Sequence, residues 1–272
     1  MNPILIAVII VGATGLILGL GLAIASIVMA VPVDEKEEAI RAELPGANCG
    51  ACGYSGCDGY AQALAKGETD KTNLCVPGGE GVSKKIAEIT GLAAGEIKPQ
   101  AAVVHCDGNC HKCEMKLEYS GVKSCAMAQQ LFGGPKNCSY GCIGFGDCVE
   151  ACPYNAIKIC NGIARVDTFM CKACGLCVRT CPKSLISMVP IGVEKAAVLC
   201  KNIEKGAQTR KQCASGCIGC MKCTKACEYD AVHVENNVAK VDYDKCIGCG
   251  KCTEVCPVKC ITLIKIGEKN DG

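Results

Sequence analysis

The sequence predicts an α+β protein with one N-terminal transmembrane helix, a small cysteine-rich domain and two tandem cysteine-rich modules. Three observations lead to this prediction: 28 of the 272 residues are Cys, residues 4–33 carry no charge, and one pattern of cysteines recurs 75 residues further along the chain. Aromatic residues make up only 4% of the chain, so a large aromatic core is excluded. The formal net charge of +2 gives no basis for nucleic-acid binding.

The cysteines decide the class of protein. A disulfide framework is typical of short secreted chains and would give irregular spacings. Structural zinc would need two close pairs of cysteines for each site. This chain instead repeats three cysteines at two-residue gaps with a fourth that is usually followed by Pro, which is the pattern of [4Fe–4S] ligands. The sequence therefore predicts several [4Fe–4S] clusters, with structural zinc as the alternative.

The uncharged run at residues 4–33 is long enough to cross a hydrocarbon core of about 30 Å as a tilted helix. A cleaved signal peptide would carry a basic residue before a shorter apolar run, so we expect a retained anchor. Lys36 and Arg41 follow the run, which predicts that the rest of the chain lies on the cytoplasmic side of the bacterial inner membrane. Gly15 and Gly19 form a GxxxG pair that would let another helix approach, unless they only fill a membrane helix.

A charged connector at residues 34–44 leads to a small domain at residues 45–100. Its four cysteines have the spacing Cys-x2-Cys-x4-Cys-x17-Cys and are Cys49, Cys52, Cys57 and Cys75. Glycines between them would let backbone amides approach cluster sulfurs. We therefore expect one [4Fe–4S] cluster in this domain.

The remainder of the chain contains an internal repeat. A shift of 75 residues superposes Cys125 on Cys200, Cys138 on Cys213, Cys142 on Cys217, Cys148 on Cys223, Cys152 on Cys227, and Cys171, Cys174, Cys177 and Cys181 on Cys246, Cys249, Cys252 and Cys256. Between the cysteine groups of each copy, residues 157–166 and 232–241 show a strand–turn–strand pattern. We expect two two-cluster ferredoxin-like modules, at residues 101–190 with a Cys-rich lead-in and at residues 191–272.

In such a module each cysteine run gives three thiolates to one cluster and its fourth to the neighbouring cluster. The second module then holds two crossed sets, Cys217, Cys220 and Cys223 with Cys256, and Cys227 with Cys246, Cys249 and Cys252. The first module departs from the pattern, because Phe145 occupies the position that Cys220 fills in the repeat. We expect Cys138 to replace the missing ligand, or a three-ligand [3Fe–4S] centre if Cys138 points away. The sets are then Cys138, Cys142, Cys148 and Cys181, and Cys152, Cys171, Cys174 and Cys177.

Eight cysteines lie outside these five sets: Cys106, Cys110, Cys113, Cys125, Cys160, Cys200, Cys213 and Cys260. The spacing Cys106-x3-Cys110-x2-Cys113-x11-Cys125 predicts a sixth cluster, and Cys200 and Cys213 are further candidate ligands, which leaves a seventh cluster open. We expect Cys160 and Cys260 to be small buried hydrophobes.

No other residue type indicates catalysis on this chain. The three histidines are too scattered for haem or base catalysis, and no nucleotide-binding loop is present, so electrons must be exchanged with partners. Residues 34–120 are acidic overall, whereas residues 195–272 are basic overall. Five lysines flank the cysteines of the second module: Lys222, Lys225, Lys245, Lys251 and Lys259. We expect them to steer an acidic electron donor, unless they are ordinary solvated lysines.

The order of domains, the loop at residues 48–57 and the Phe145-containing segment at residues 133–148 resemble the RnfB subunit of the Rnf complex. The resemblance covers nearly the whole chain and implies an electron-transfer subunit of a membrane-bound ferredoxin:NAD⁺ oxidoreductase that translocates Na⁺ or H⁺. It implies that reduced ferredoxin donates electrons at the modules, that they leave through the Cys49 cluster to integral partners, and that the flavin and NAD sites lie on other subunits. The alternatives are a subunit of another membrane oxidoreductase, such as a hydrogenase or anaerobic reductase, and a metal-stabilised assembly scaffold.

Overall fold

The computed structural model describes residues 3–28, 34–191 and 194–264 of the chain. Within these ranges the fold is mixed α and β, with short helices and four two-stranded antiparallel sheets. The end of the expected anchor, residues 29–33, and the end of the second module, residues 265–272, lie outside the described residues.

The chain begins with a long apolar helix, α1 (Pro3–Val28). Its window Ile9–Ser26 has a mean hydropathy of 2.2, and none of that window is buried against the rest of the protein. The helix is therefore long and apolar enough to cross a membrane, as the sequence predicts. A side chain added at Gly15 or Gly19 would meet nothing within 4 Å, so the small-residue face of the helix is open.

The small N-terminal domain is a group of three helices and a 3₁₀ turn: α2 (Glu35–Glu43), α3 (Cys57–Ala65), the turn (Val76–Gly78) and α4 (Gly79–Thr90). The Asp34 carboxylate caps α2 by accepting a hydrogen bond from Lys36 N at 2.9 Å. Gly91 ends α4 in the left-handed conformation that favours glycine. The helices enclose Ile40, Tyr60 and Ile86, which form a core around the cysteine loop.

The first module has two strand pairs and three short helices. Its elements are β1 (Gln100–Val104), α5 (Cys125–Gln129), α6 (Asp147–Glu150), β2 (Ile157–Cys160), β3 (Ile163–Val166), α7 (Leu176–Thr180) and β4 (Ile186–Pro190). β1 pairs with β4, and β2 pairs with β3 in the predicted hairpin, with Ile157 opposite Val166. The turn residues Asn161 and Gly162 have positive φ, which gives the hairpin its tight two-residue turn.

The second module repeats this architecture. Its elements are β5 (Lys195–Val198), α8 (Gly206–Gln212), α9 (Lys222–Ala226), β6 (Val232–Glu235), β7 (Val238–Val241), α10 (Lys251–Glu254) and β8 (Ile261–Ile264). β5 pairs with β8, and β6 and β7 form the second predicted hairpin, with Val232 opposite Val241.

The two modules pack against each other through the strand pairs β1–β4 and β5–β8. Val103, Val189 and Ala197 form a small core between them. The buried His105 side chain joins the modules, because Nδ1 lies 2.8 Å from Val198 O and Nε2 lies 2.6 Å from Ser187 Oγ. Burial lowers the pKa of His105, so the ring is neutral at physiological pH.

Candidate iron–sulfur cluster sites

All 28 cysteines are free thiols, so no disulfide framework holds this chain together. Within the described residues, no set of three or more His, Cys, Asp or Glu side chains forms a site for a metal ion. A single zinc ion needs every sulfur about 2.3 Å from one point, whereas a cubane cluster spreads its four thiolates over separate corners. The thiols instead gather around cavities.

The four cysteines of the N-terminal domain lie together as predicted by their spacing. Burial is the largest cause that raises the pKa of Cys75, which reaches about 11. The nearby thiols of Cys57, Cys49 and Cys52 contribute to this rise, so the four cysteines lie close together. The Asn48 side chain fixes the loop, because its Oδ1 accepts a hydrogen bond from Cys57 N at 2.8 Å. Asn48 itself has positive φ, so the loop turns sharply before the first cysteine.

One crossed set in each module lines a cavity of the kind that the motifs predict. A cavity of about 300 Å³ in the first module is lined by Cys152, Cys171, Cys174 and Cys177. A cavity of about 310 Å³ in the second module is lined by Cys227, Cys246, Cys249 and Cys252. The fourth cysteine of one run therefore does reach the other three across the module.

The other cavity of the first module differs from the expectation. It has a volume of about 360 Å³, and the thiols that line it belong to Cys125, Cys142, Cys148 and Cys181. Cys138 does not line this cavity; it lies at a different one, between the modules. The structure therefore brings Cys125, rather than the expected Cys138, to the cavity beside Cys142, Cys148 and Cys181.

The physical reason is the packing of helix α5. Phe145 turns its ring to Tyr119, with ring centroids 5.4 Å apart, and both pack beside Cys125 in a small apolar cluster. The Asp147 carboxylate holds the start of α5, because Cys125 N donates to Oδ1 at 2.7 Å and Ala126 N donates to Oδ2 at 3.1 Å. Burial opposes ionisation of Asp147, but these hydrogen bonds lower its pKa overall. Nothing in the cysteine spacing pointed to Asp147.

The corresponding cysteines of the second module also lie together. Cys217 and Cys220 are close enough to raise the pKa of Cys223 after burial, and Cys256 packs against the same core. Cys260 is 1% exposed and its Sγ lies 3.7 Å from Cys256 Sγ, so its place in the core agrees with the expected small hydrophobe. Cys160 is half-buried at the end of β2.

The predicted sixth set of Cys106, Cys110, Cys113 and Cys125 is not brought together. Cys110 is exposed, and Cys125 lies in the first-module cavity. Cys106 and Cys113 instead line a separate cavity of about 350 Å³ between the modules. This cavity also contains Cys138, Cys200 and Cys213.

Backbone amides surround the sulfurs as a cluster ligand shell requires. Amide N–H groups donate to Sγ of cysteines at 3.4–3.5 Å, in the pairs Ala102 to Cys171, Ala164 to Cys142, Leu185 to Cys181, Ala231 to Cys227 and Ala239 to Cys217. Hydrogen bonds of this kind stabilise thiolate charge and raise the reduction potential of a cluster. These hydrogen bonds in this chain therefore fit the ligand shell of [4Fe–4S] centres.

Burial works against this charge. It raises the pKa of Cys142 to about 11 and those of Cys148 and Cys177 to about 12. These thiols would stay protonated unless iron displaced their protons, because a buried thiolate is costly without a cation. A bound [4Fe–4S] cluster supplies reversible one-electron chemistry, and the residues around it set its potential.

Comparison with protein families matches three parts of the chain. Residues 44–77 match a putative Fe-S cluster family, residues 168–184 a 4Fe-4S binding domain, and residues 213–263 a 4Fe-4S dicluster domain. These segments contain the N-terminal set, one run of the first module and both runs of the second.

Curated relatives match nearly the whole chain, and each is the component designated B of its complex. The one from the Na⁺-translocating ferredoxin:NAD⁺ oxidoreductase complex of Acetobacterium woodii is 44% identical over 96% of this chain and 78% of its own length. The one from the proton-translocating ferredoxin:NAD⁺ oxidoreductase complex of Clostridium ljungdahlii is 41% identical over 89% of this chain and 85% of its own length. The one from the ion-translocating oxidoreductase complex of Methanosarcina acetivorans is 35% identical over 97% of this chain and all of its own length.

The fold and the thiol-lined sites define a membrane-associated iron–sulfur protein of the electron-transfer class, with ferredoxin-type [4Fe–4S] domains. The long matches at 35–44% identity then settle its relationship. The chain belongs to the RnfB family, a subunit family of the Rnf complex, which is the ion-translocating ferredoxin:NAD⁺ oxidoreductase.

Proposed function

We propose that this chain accepts electrons from reduced ferredoxin and relays them through at least five [4Fe–4S] clusters to membrane partners of an ion-translocating ferredoxin:NAD⁺ oxidoreductase. The observation that carries the proposal is the set of thiol-lined cavities in the two modules, together with the cysteine loop of the small domain that follows helix α1 in the chain. The cluster ligands are the sets that the structure brings together, with Cys125 in place of Cys138 in the first module.

One surface of the second module has the features of a docking face. Cys249 is exposed, and Ile247 and Tyr229 beside it expose 53% and 44% of their surface. The five lysines that flank the cysteines of this module in sequence are all exposed. Lys245 and Lys251 are paired with Asp230 and Glu228. Lys222, Lys225 and Lys259 have no ion-pair partner among the described residues, so they are free to attract an acidic protein.

The first module lies against the N-terminal domain. The Arg179 guanidinium donates a hydrogen bond to Cys49 O, which ties the N-terminal loop to helix α7. Burial, with smaller contributions from the nearby thiols of Cys174 and Cys49, raises the pKa of Tyr154 to about 12, so this ring lies between two cysteine sets. These contacts support electron transfer from the first module to the Cys49 cluster.

The proposed organisation follows from this direction of flow. Residues 1–33 form a single-pass anchor, residues 34–44 a connector and residues 45–100 the cluster domain next to the membrane, and the two modules extend on the cytoplasmic side. The relatives' names describe complexes with several subunits, so the integral, flavin and NAD components are placed on partner subunits.

Reduction by ferredoxin tests the proposal. The anaerobic full-length chain should develop the EPR signals of reduced [4Fe–4S] clusters when reduced ferredoxin is added. The triple variant Lys222→Glu/Lys225→Glu/Lys259→Glu should slow this reduction about tenfold or more at low salt and should lose most of the salt dependence, because charge steering controls association.

A matched control places the same charge change at the other end, as Lys66→Glu/Lys84→Glu/Lys98→Glu on exposed sites of the N-terminal domain. This control should be reduced at the normal rate. Clusters that ferredoxin does not reduce would overturn the electron-transfer proposal and favour an assembly scaffold. Equal rates of reduction by ferredoxin in the two triple variants would contradict the assignment of this surface as the docking face.

A further inference from the structure

Four cysteines outside the five sets converge on one cavity between the modules. They come from separate segments: Cys106 follows β1, Cys113 and Cys138 lie in loops of the first module, and Cys213 directly follows α8 of the second. Three of the four lie outside the segments that match cluster families. Their spacing along the chain, with gaps of 6, 24 and 74 residues, resembles no ligand motif.

All four thiols are buried. Cys106, Cys113, Cys138 and Cys213 expose 6%, 2%, 8% and 7% of their surface. Three of them lie around Gly108, where an added side chain would come within 3.3 Å of Cys213 Sγ, 3.4 Å of Cys113 Cβ and 3.6 Å of Cys106 Sγ. Four buried thiols that face one cavity are costly as simple packing, because each lacks apolar contact on the side that faces the cavity.

Polar groups around the four thiols would stabilise negative charge on their sulfur atoms. Cys142 N donates to Cys106 Sγ at 3.3 Å, and Asn202 Nδ2 donates to Cys138 Sγ at 3.5 Å. Ser215 Oγ lies 3.6 Å from Cys213 Sγ. Asn202 is only 1% exposed, so its amide is held in the site rather than turned to solvent.

A buried ammonium group adds positive charge to the same place. Lys136 is 5% exposed and donates to Gly108 O at 3.1 Å and to Gly162 O at 2.7 Å. It has no carboxylate partner among the described residues. A buried lysine without a counter-ion is expensive, and an anionic cluster beside Gly108 would supply the missing charge.

We propose that Cys106, Cys113, Cys138 and Cys213 bind a further [4Fe–4S] cluster that connects the two modules. Its ligands come from both halves of the repeat, so the site forms only when the modules dock. The fifth cysteine at the cavity, Cys200, is left out of the set because Cys113, Cys138 and Cys213 form a separate buried cluster that does not include it.

The position of this cluster gives it a role that rests on the proposed function. On one side, Cys106 is hydrogen-bonded to the backbone of Cys142, which lines the first-module cavity. On the other side, Cys213 precedes Cys217 of the second module by four residues. The cluster would take one electron from a reduced cluster of the second module, which is thereby oxidised, and pass that electron to the first module.

Iron and sulfide analysis of the anaerobic full-length chain tests the site. Cys113→Ala and Cys213→Ala should each lose about four iron and four acid-labile sulfide per chain and keep the other clusters. The control Cys110→Ala removes an exposed cysteine three residues from Cys113 and should lose none. Zinc is measured on the same samples.

The iron and sulfide content tests this cluster independently of the test by ferredoxin reduction. Full iron content in both variants, or one zinc per chain that disappears in Cys113→Ala, would overturn the inference while leaving the five-cluster relay intact. If a variant fails to fold, the unaltered chain still gives a readout, since it should contain about 24 sulfides with this cluster and about 20 without it.

Discussion

The two ferredoxin-like modules show which parts of a cluster site are fixed and which can change. Their hairpins have equivalent registers, and Ala164 N and Ala239 N, which correspond in the repeat, donate to the sulfurs of the corresponding Cys142 and Cys217 at 3.5 and 3.4 Å. The ligand set is less constant, because Cys220 of the second module corresponds to Phe145 of the first. The backbone shell is therefore kept even where one thiolate comes from another part of the chain.

The replacement depends on local packing that the second module lacks. Cys125 opens helix α5 and lines the cavity, whereas its repeat partner Cys200 lies in a loop and faces the inter-module cavity. Asp147 holds α5 in place, and its repeat partner is Lys222, which is exposed. The comparison teaches that the fourth thiol at this cavity comes from a short helix held by Asp147 and not from Cys138, the cysteine nearest to Cys142 in sequence.

The largest expected effect comes from removing that replacement ligand. Cys125→Ala should lose a whole cluster, about four iron per chain, or should leave a [3Fe–4S] signal in the oxidised protein. Iron analysis and EPR of the anaerobic chain measure this. The repeat-equivalent variant Cys200→Ala should keep its full iron content.

A rescue variant makes the comparison sharper. Cys125→Ala/Phe145→Cys restores the motif of the second module and should recover the lost cluster, because residue 145 belongs to the same loop as Cys142 and Cys148. Normal iron content in Cys125→Ala, or no recovery of iron in the double variant, would contradict the assignment of Cys125 as the fourth ligand.

Much of the fold could be predicted from sequence because its causes are local. The uncharged run predicted helix α1, the Asn-Gly and Asn-Asn turns predicted both hairpins, and the cysteine runs predicted the crossed sets at Cys152 and Cys227. Each of these depends on short-range spacing or on a motif whose geometry is constant.

The structure departs from the sequence-based expectations where distant segments meet. Cys138 is close to Cys142 in sequence, but it lines the inter-module cavity and not the cavity that Cys142 lines. Cys106 and Cys213 are 107 residues apart, and only the docking of the two modules brings them together. No spacing rule can report a contact that depends on tertiary packing.

A smaller effect is expected from loosening α5 without removing its cysteine. Asp147→Ala removes the acceptor of Cys125 N and Ala126 N, which should cost about 1–2 kcal/mol, as for other lost caps. The cluster should form but release its iron to a chelator roughly tenfold faster. Lys222→Ala at the equivalent position of the second module should release iron at the normal rate. Equal rates for the two variants would mean that Asp147 does not secure the site.

The smallest effect is expected from exchanging a charge between the modules. Lys183 lines the first-module cavity, with its ammonium donating to Gly133 O at 2.5 Å, whereas Val258 occupies the equivalent place in the second module. A positive charge stabilises the reduced cluster, so Lys183→Met should lower the potential of that cluster by tens of millivolts, corresponding to roughly 1 kcal/mol for a partly screened charge.

The potential is measured by EPR-monitored redox titration, with the exposed Lys158→Met on β2 as the control. The reciprocal variant Val258→Lys should raise the potential of the second-module cluster. An unchanged potential in both Lys183→Met and Val258→Lys would show that the amide shell common to the modules, rather than the charge that distinguishes them, sets the potential. Opposite shifts would mean that this one lysine sets the difference in reduction potential between the two clusters and helps to fix the direction of electron flow.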